Sequence, residues 1–465
     1  MNKNLFLTLS AFLFLFPLSG KATGTYRPET SVAGFIQLPG SGRQVYDFNP
    51  GWRFFKGDIS GAETVNFDDR SWEVVSTPHT VELMPAEASG CRNYQGPVWY
   101  RKHFVVPAET KGQRVSIHFE AAMGKQILYL NGKRIQEYIG GYLPFTLDLT
   151  TYGVQAGDSC LLAVFADNSD DKSYPPGKRQ YTLDFTYHGG IYRDVWMIAK
   201  SPISITDAIE SQTVAGGGVF VHFDQISEKS AQVCVNTEVQ NENTRSESVI
   251  VETTLTDADG KIIRRISGKL SLQSGEKKII RQQMEVKNPK LWSPDTPYLY
   301  RVQSRLKKGN QSIDGGITRV GIRLAEFRGK DGFWLNGKPF GQLVGANRHQ
   351  DFAYVGNALP NSQQWRDAKR LRDAGCTIIR TAHYPQDPSF MDACDELGLF
   401  VIVATPGWQY WNKDLQFGEL VHRNTREMIR RDRNHPSVLM WEPILNETRY
   451  PLDFALKALD ITKEE

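Results

Sequence analysis

Cysteine is scarce in this chain: Cys91, Cys160, Cys234, Cys376 and Cys394 are all there is in 465 residues. An odd, irregularly spaced set is neither a disulfide framework nor a zinc pattern. Cys376 and Cys394 fall in helix-like segments and read as small buried hydrophobes. An excess of one charge is missing too. Lys and Arg number 55 against 52 Asp and Glu, for a formal net charge of +3. That balance gives no electrostatic reason for a nucleic-acid partner or an anionic membrane surface. Low-complexity tracts are absent, and nothing in the sequence sets an oligomeric state.

Long apolar runs are missing as well, except at the start. Leu5 to Leu18 form an apolar stretch behind Lys3 that is too short for a comfortable membrane span. Residues 1–22 therefore read as a secretory signal peptide, cut near Ser19–Ala22. No cysteine lies at the cleavage zone, so no lipid anchor is expected. On this reading the mature protein is soluble, secreted or periplasmic, and free of the membrane.

Hydrophobic residues make up 40% of the chain, enough for true cores, and the length suggests about three domains at roughly 100–200 residues each. From residue 45 to 200 the pattern is short strands and turns, as in RVSIHFEAA, KQILYLNGKRI and SCLLAVFADN. Regular spacing with Gly-rich turns predicts an all-β sandwich. Asn131-Gly132 is a strong hairpin signal, because a tight type I′ turn needs positive φ at both central residues. Residues 201–327 continue without helices, in period-two strands such as VCVNTEVQN and SVIVETTLTD, with a turn at Asp257–Gly260. Their spacing fits one immunoglobulin-like sandwich of about 100 residues. Trp292-Ser293-Pro294 precedes the later strands.

From residue 328 to 465 the period changes. Strand-like LVGAN, TIIRTA, LFVIVAT and SVLMWEPI alternate with amphipathic helices. In the first helix Trp365, Ala368 and Leu371 share a face and Gly375 closes it. In the second, Asp387 is a good N-cap, Pro388 suits the first helical position and Gly398 the C-terminus. Apolar strands alternating with helices predict a parallel sheet. A doubly wound sheet and a (β/α)8 barrel both fit. No glycine-rich phosphate loop follows the first strand, which weakens the first option. Polar residues cluster just past each strand: Asn347–Asp351, His383, Trp408 and Asn446–Glu447. Barrel active sites gather there.

These segments carry a resemblance. DFTYHGGIYRDV at 184–195 and NGKRIQEYIGGYLPFTLD at 131–148 resemble the sugar-binding-domain signatures of glycoside hydrolase family 2. GANRHQD at 345–351, RTAHYP at 380–385, RDRNHPSVLMW at 431–441 and Asn446-Glu447 are similar to the barrel motifs of that family, in order. The resemblance runs from about Val45 to the end. It implies a jelly-roll sugar-binding domain, an immunoglobulin-like sandwich and a (β/α)8 catalytic barrel. It also implies an exo-acting retaining β-glycosidase with a carbohydrate substrate and no cofactor.

By resemblance, Glu447 is the general acid/base, which protonates the leaving glycosidic oxygen and then deprotonates water. A strand end flanked by apolar SVLMW is expected to enclose it and so raise its pKa for that role. Asn446 matches the asparagine that bonds the sugar 2-hydroxyl. His349 and His383 match histidines lining the pocket of family β-galactosidases, and Asp184 matches an aspartate that the first domain lends to the sugar site. Arg380 is expected to support the pocket by orienting carboxylates. Glu442 is a rival acid without a preceding asparagine.

There are departures. Ala404 stands where the family has a glutamate, and Trp408 and Tyr410 stand where magnesium-using members place ligands. No magnesium site of that type is expected, and Trp408, Tyr410 and Trp411 become candidates for stacking on a sugar or for packing a loop. The 11% aromatic content fits either use, since all-β domains also favour aromatics. One extra residue separates Trp441 from Asn446-Glu447, which a bulge could absorb. Only 18 residues follow Glu447 and fewer than 140 follow Arg328, against about 250 in a (β/α)8 barrel. The nucleophile of a retaining enzyme is expected on a later strand, so the chain reads as the first half of the barrel, inactive alone. The sequence leaves three outcomes open: a β-galactosidase or, alternatively, a β-glucuronidase once complete; a non-catalytic carbohydrate-binding fragment; and a misfolded remnant.

Overall fold

The structure, a computed structural model, describes residues 28–84 and 93–465. The signal-peptide reading and Cys91 lie outside the described residues. The first sandwich pairs a six-stranded sheet with a four-stranded one. The larger runs in the order Glu73–Val75, Trp52–Lys56, Pro97–Val105, Ser159–Asp167, Gly124–Leu130, Lys133–Gly140. The smaller runs Gln44–Asp47, Val195–Lys200, Arg114–Phe119, Phe145–Asp148. Alternate residues point inward, as period two requires. Along Gly124–Leu130 the buried side chains are Gln126, Leu128 and Leu130. They join Trp52, Tyr100, Phe119 and Val164 between the sheets. Asn131 and Gly132 take φ of 50° and 83°, as the hairpin requires.

The second sandwich sets Ile203–Ile205, Val219–Asp224, Ser230–Asn241 and Lys277–Lys287 against Ile262–Leu272, Glu247–Thr256, Tyr300–Lys308 and Gln311–Val320. Val233, Val235, Leu255 and Val302 fill its core. Trp292 fastens this sandwich to the region that follows. It is fully buried, its indole donates to the Asp395 carbonyl at 2.9 Å, and its ring meets Phe400 edge-on at 5.3 Å.

After a small antiparallel sheet come four parallel strands: Gly345–Arg348, Ile378–Thr381, Phe400–Ala404 and Val438–Glu442. Helices Asn361–Asp373, Pro388–Leu397, Leu415–Asp432 and Leu452–Glu464 alternate with them. The strands lie side by side in chain order. A doubly wound sheet reverses direction midway, so this order is that of a barrel. The sheet stays open. Val344 beside the first strand and Met440 in the fourth are exposed, as are Leu452, Leu456 and Leu459 on the last helix. The helix boundaries follow their caps. Asp387 accepts from the Ser389 N–H, Pro388 opens the helix, and Gly398 closes it at φ 74°. Ala368 is buried and Trp365 and Leu371 pack beside it. Among the described residues no helix is long and apolar enough to cross a membrane.

Candidate functional site

The loops that leave the C-terminal ends of the four strands meet a loop from the first sandwich. Arg193, fully buried, makes the joint. It donates to the Tyr142 carbonyl at 2.9 Å within its own domain. It also donates to Gln350 Oε1 at 3.0 Å and the Pro385 carbonyl at 2.9 Å in the barrel loops. Tyr142 stacks on Tyr384 at 4.2 Å, and Asn361 donates to Asp194 at 2.9 Å. The fit is close. At Gly356, where φ is +54°, an added Cβ would stand 2.4 Å from His188 Nδ1. Much of the DFTYHGGIYRDV signature is thus a docking element.

Docking pushes Phe185 into the middle of the cleft. Its ring stacks on His349 at 4.9 Å and lies 5.9 Å from His383, 5.7 Å from Tyr384 and 6.2 Å from Trp408. His383, reached through a cis Ala382–His383 peptide, stacks flat on Trp408 at 4.8 Å. The two histidine rings stand 5.8 Å apart, edge to face. Asp184 is exposed at the rim beside Phe185. Burial, then the nearby charge of Arg380, drives the His383 imidazole down to about 3. Burial likewise lowers His349, against the pull of Asp351 and Asp184. Both rings are therefore neutral near pH 7, and each has one donor and one acceptor nitrogen. His383 Nδ1 and Trp408 Nε1 are buried without a hydrogen-bond partner among the described residues. Buried polar atoms of this kind call for a partner, and ligand hydroxyls can supply it.

Arg380 does orient a carboxylate, but it is that of Glu442. Nε and Nη2 stand 2.7 and 2.6 Å from the two Glu442 oxygens. Nη2 also donates to Asn446 Oδ1 at 2.9 Å. Glu447 is not enclosed as SVLMW suggested. The strand stops at Glu442, and Glu447 sits past it on an exposed turn at φ 58°. There its Oε2 accepts from the Gln409 amide, whose Oε1 accepts from Lys178 of the first sandwich. The Lys178 ammonium also lies 4.6 Å from the Trp408 ring centroid. Burial lowers the Lys178 pKa, while Asp184 and Glu447 pull it up.

Other expectations shift in detail. Trp408 carries His383 stacked on its ring and the Lys178 ammonium 4.6 Å from its centroid. Trp411 packs on Phe454 at 4.4 Å and Tyr410 on Phe417 at 5.5 Å, so both hold the loop. The bulge falls before Trp441, not after it: Val438 and Met440 face consecutive residues Val401 and Ile402. A cavity of about 320 Å³ lies elsewhere, between domains, lined by Glu120, Lys200, Glu210 and Arg430. Neither histidine of the cleft nor Glu447 is among its lining residues. Neither of the two groups of metal-capable side chains found among the described residues includes a residue of the cleft.

Phe185, Lys178 and Gln409 were not singled out from the sequence. Phe185 could have been, since it adjoins Asp184 in a quoted motif. Lys178 had no local signal.

Two β-sandwiches ahead of a βα sheet of barrel order, with one sandwich completing the cleft at the strand ends, define a multidomain sandwich-and-barrel architecture. Comparison with known proteins narrows the class. Models described as glycosyl hydrolases family 2 match in sequence: the sugar binding domain over residues 56–202, the middle domain over 217–323 and the TIM barrel domain over 327–464. The chain belongs to glycosyl hydrolase family 2. It is 36% identical to a beta-galactosidase of Thermoanaerobacter pseudethanolicus, over 89% of this chain and 53% of that protein. It is 31% identical to a beta-glucuronidase of Formosa agariphila, over 87% and 42%. The crystal structure of a Bacteroides uniformis beta-glucuronidase superposes with a TM-score of 0.81 at 30% identity, covering 91% of this chain and 51% of that one. The chain spans about half the length of these relatives.

Proposed function

We propose that the cleft is the substrate site of an exo-acting retaining β-glycosidase that removes terminal β-galactosyl groups. One observation carries the reading. Two neutral histidines and an indole N–H converge beside Asp184 and Phe185, and His383 Nδ1 and Trp408 Nε1 await partners. A neutral sugar presents hydroxyl groups that both donate and accept, which suits neutral imidazoles. Glu447 is assigned as acid/base, Asn446 as partner of the sugar 2-hydroxyl, and Asp184, His349, His383 and Trp408 as ligands of the other hydroxyls. Arg380 sets the position of Asn446. Turnover requires a second carboxylate about 5–5.5 Å from the acid, expected from a later barrel strand. The apolar N-terminal stretch supports a secreted or periplasmic setting.

A second reading, a β-glucuronidase, draws on Lys178, whose ammonium stands over Trp408 at the edge of the cleft. A cation there suits a uronate carboxylate. Aryl β-galactoside and β-glucuronide hydrolysis by a polypeptide with a complete barrel separates the two. Galactoside turnover that survives Lys178→Met supports the first reading. Turnover confined to the glucuronide and lost in Lys178→Met supports the second. Calorimetry of the present chain with galactose tests recognition alone; sugar binding without hydrolysis after the barrel is completed marks a carbohydrate-binding protein.

A further inference from the structure

We propose that the outer face of the second sandwich holds a site for a thiophilic divalent cation, Zn2+ by preference, with His222, Asp224 and Cys234 as ligands. The sheet geometry makes the site. Strands Val219–Asp224 and Ser230–Asn241 run antiparallel with His222 directly opposite Cys234. Val221, Val233 and Val235 lie in the core, so residues of the opposite parity, His222, Asp224 and Cys234, share the outward face. One ligand atom from each lies within 4.8 Å of the others. The Cys234 thiol already donates to Asp224 Oδ2 at 3.3 Å. Ligands 2.0–2.3 Å from a tetrahedral zinc ion stand roughly 3.5 Å apart, so this pair is spaced for a shared ion. A ring nitrogen of His222 lies within 4.8 Å of both partners.

A second, independent observation points to a ligand. His222 Nδ1 is buried without a hydrogen-bond partner among the described residues, on a histidine that flanks the thiol. Gln283, directly opposite Cys234 on the next strand, supports the sulfur from the other side. In the unmetallated site the Cys234 thiol carries the proton it donates to Asp224. Cation binding replaces that proton: the S–H bond breaks, a sulfur–metal bond forms, and the proton leaves to solvent. The thiolate selects zinc-like ions over calcium or magnesium, and three protein ligands leave a fourth position for water. The other three-residue group, Asp392, Asp395 and His435, lacks this opening. There Arg319 bonds Asp392 at 2.8 Å and His435 bonds Asp395 at 2.7 Å, so protein cations already occupy it.

The test is titration of the whole chain with Co2+, read by thiolate-to-cobalt charge-transfer absorption, followed by Zn2+ competition. The site predicts a band that saturates at one equivalent and bleaches with Zn2+. Cys234→Ser abolishes it. His222→Ala and Asp224→Ala, on the outer face of the strand, keep the thiol and the fold but weaken binding at least tenfold. A chain without a band, a band undiminished in Cys234→Ser, or one indifferent to both His222→Ala and Asp224→Ala overturns the assignment.

Discussion

Arg380 grips Glu442 through two contacts of 2.7 and 2.6 Å, while Glu447, five residues on, meets the neutral amide of Gln409. The two glutamates that compete for the catalytic role are thereby separated. A carboxylate locked in a bidentate bridge is a poor proton shuttle. One that meets a side-chain amide keeps lone pairs for chemistry. The same guanidinium positions Asn446 at 2.9 Å, so it sets the residue before Glu447 rather than Glu447 itself.

Arg380→Ala is expected to leave the Glu442 carboxylate unpaired and Asn446 unanchored. Loss of charge-assisted bonds at this half-buried site should lower stability by about 2 kcal/mol in urea denaturation of the chain. Arg380→Lys should recover little, because an ammonium lacks the planar fork. Full recovery with lysine would mean that only charge matters here.

Phe185→Ala removes the ring that His349, His383, Tyr384 and Trp408 surround. Truncating a buried phenylalanine costs about 3–5 kcal/mol, so the thermal midpoint should fall. Galactose affinity measured by calorimetry, below the new midpoint, should fall with it as both imidazoles lose their support. Unchanged affinity would show that the histidines are held without the first sandwich.

His435, paired with Asp395 at 2.7 Å, carries a pH-dependent share of the fold. Burial alone would lower its pKa, but the charge and hydrogen bond of Asp395 raise it overall from 6.5 to about 9. A raised folded value means that the stabilisation is fully present below pH 6.5 and is lost as pH climbs through 9. The amount is on the order of 3 kcal/mol. Denaturation midpoints should therefore drop between pH 6.5 and 9, and His435→Gln should flatten that slope.

What could be read from the sequence was what neighbours in the chain decide. Asp387, Pro388 and Gly398 bounded a helix by their own capping chemistry, and Asn131-Gly132 turned a hairpin by its own positive φ. Alternating strands and helices located the ends where His349, His383, Trp408 and Glu447 cluster. What could not be read depends on partners far apart in the chain. Lys178 meets Gln409 across 231 positions, and Arg193 meets Pro385 across 192. Neither pairing leaves a local trace. The apolar run before Glu447 suggested enclosure, but the strand ends at Glu442, and the intervening turn carries the carboxylate into the open.

The most direct test of the account is azide rescue of an alanine variant, in a polypeptide whose barrel is complete, on an aryl β-galactoside with a good leaving group. Removing the acid/base of a retaining enzyme leaves glycosylation feasible on such a substrate but stalls the water step, and a small anion can occupy the vacated space and attack instead. The account predicts that azide restores turnover of Glu447→Ala and yields the β-glycosyl azide, while Glu442→Ala shows no rescue. Rescue at Glu442→Ala with none at Glu447→Ala would contradict it.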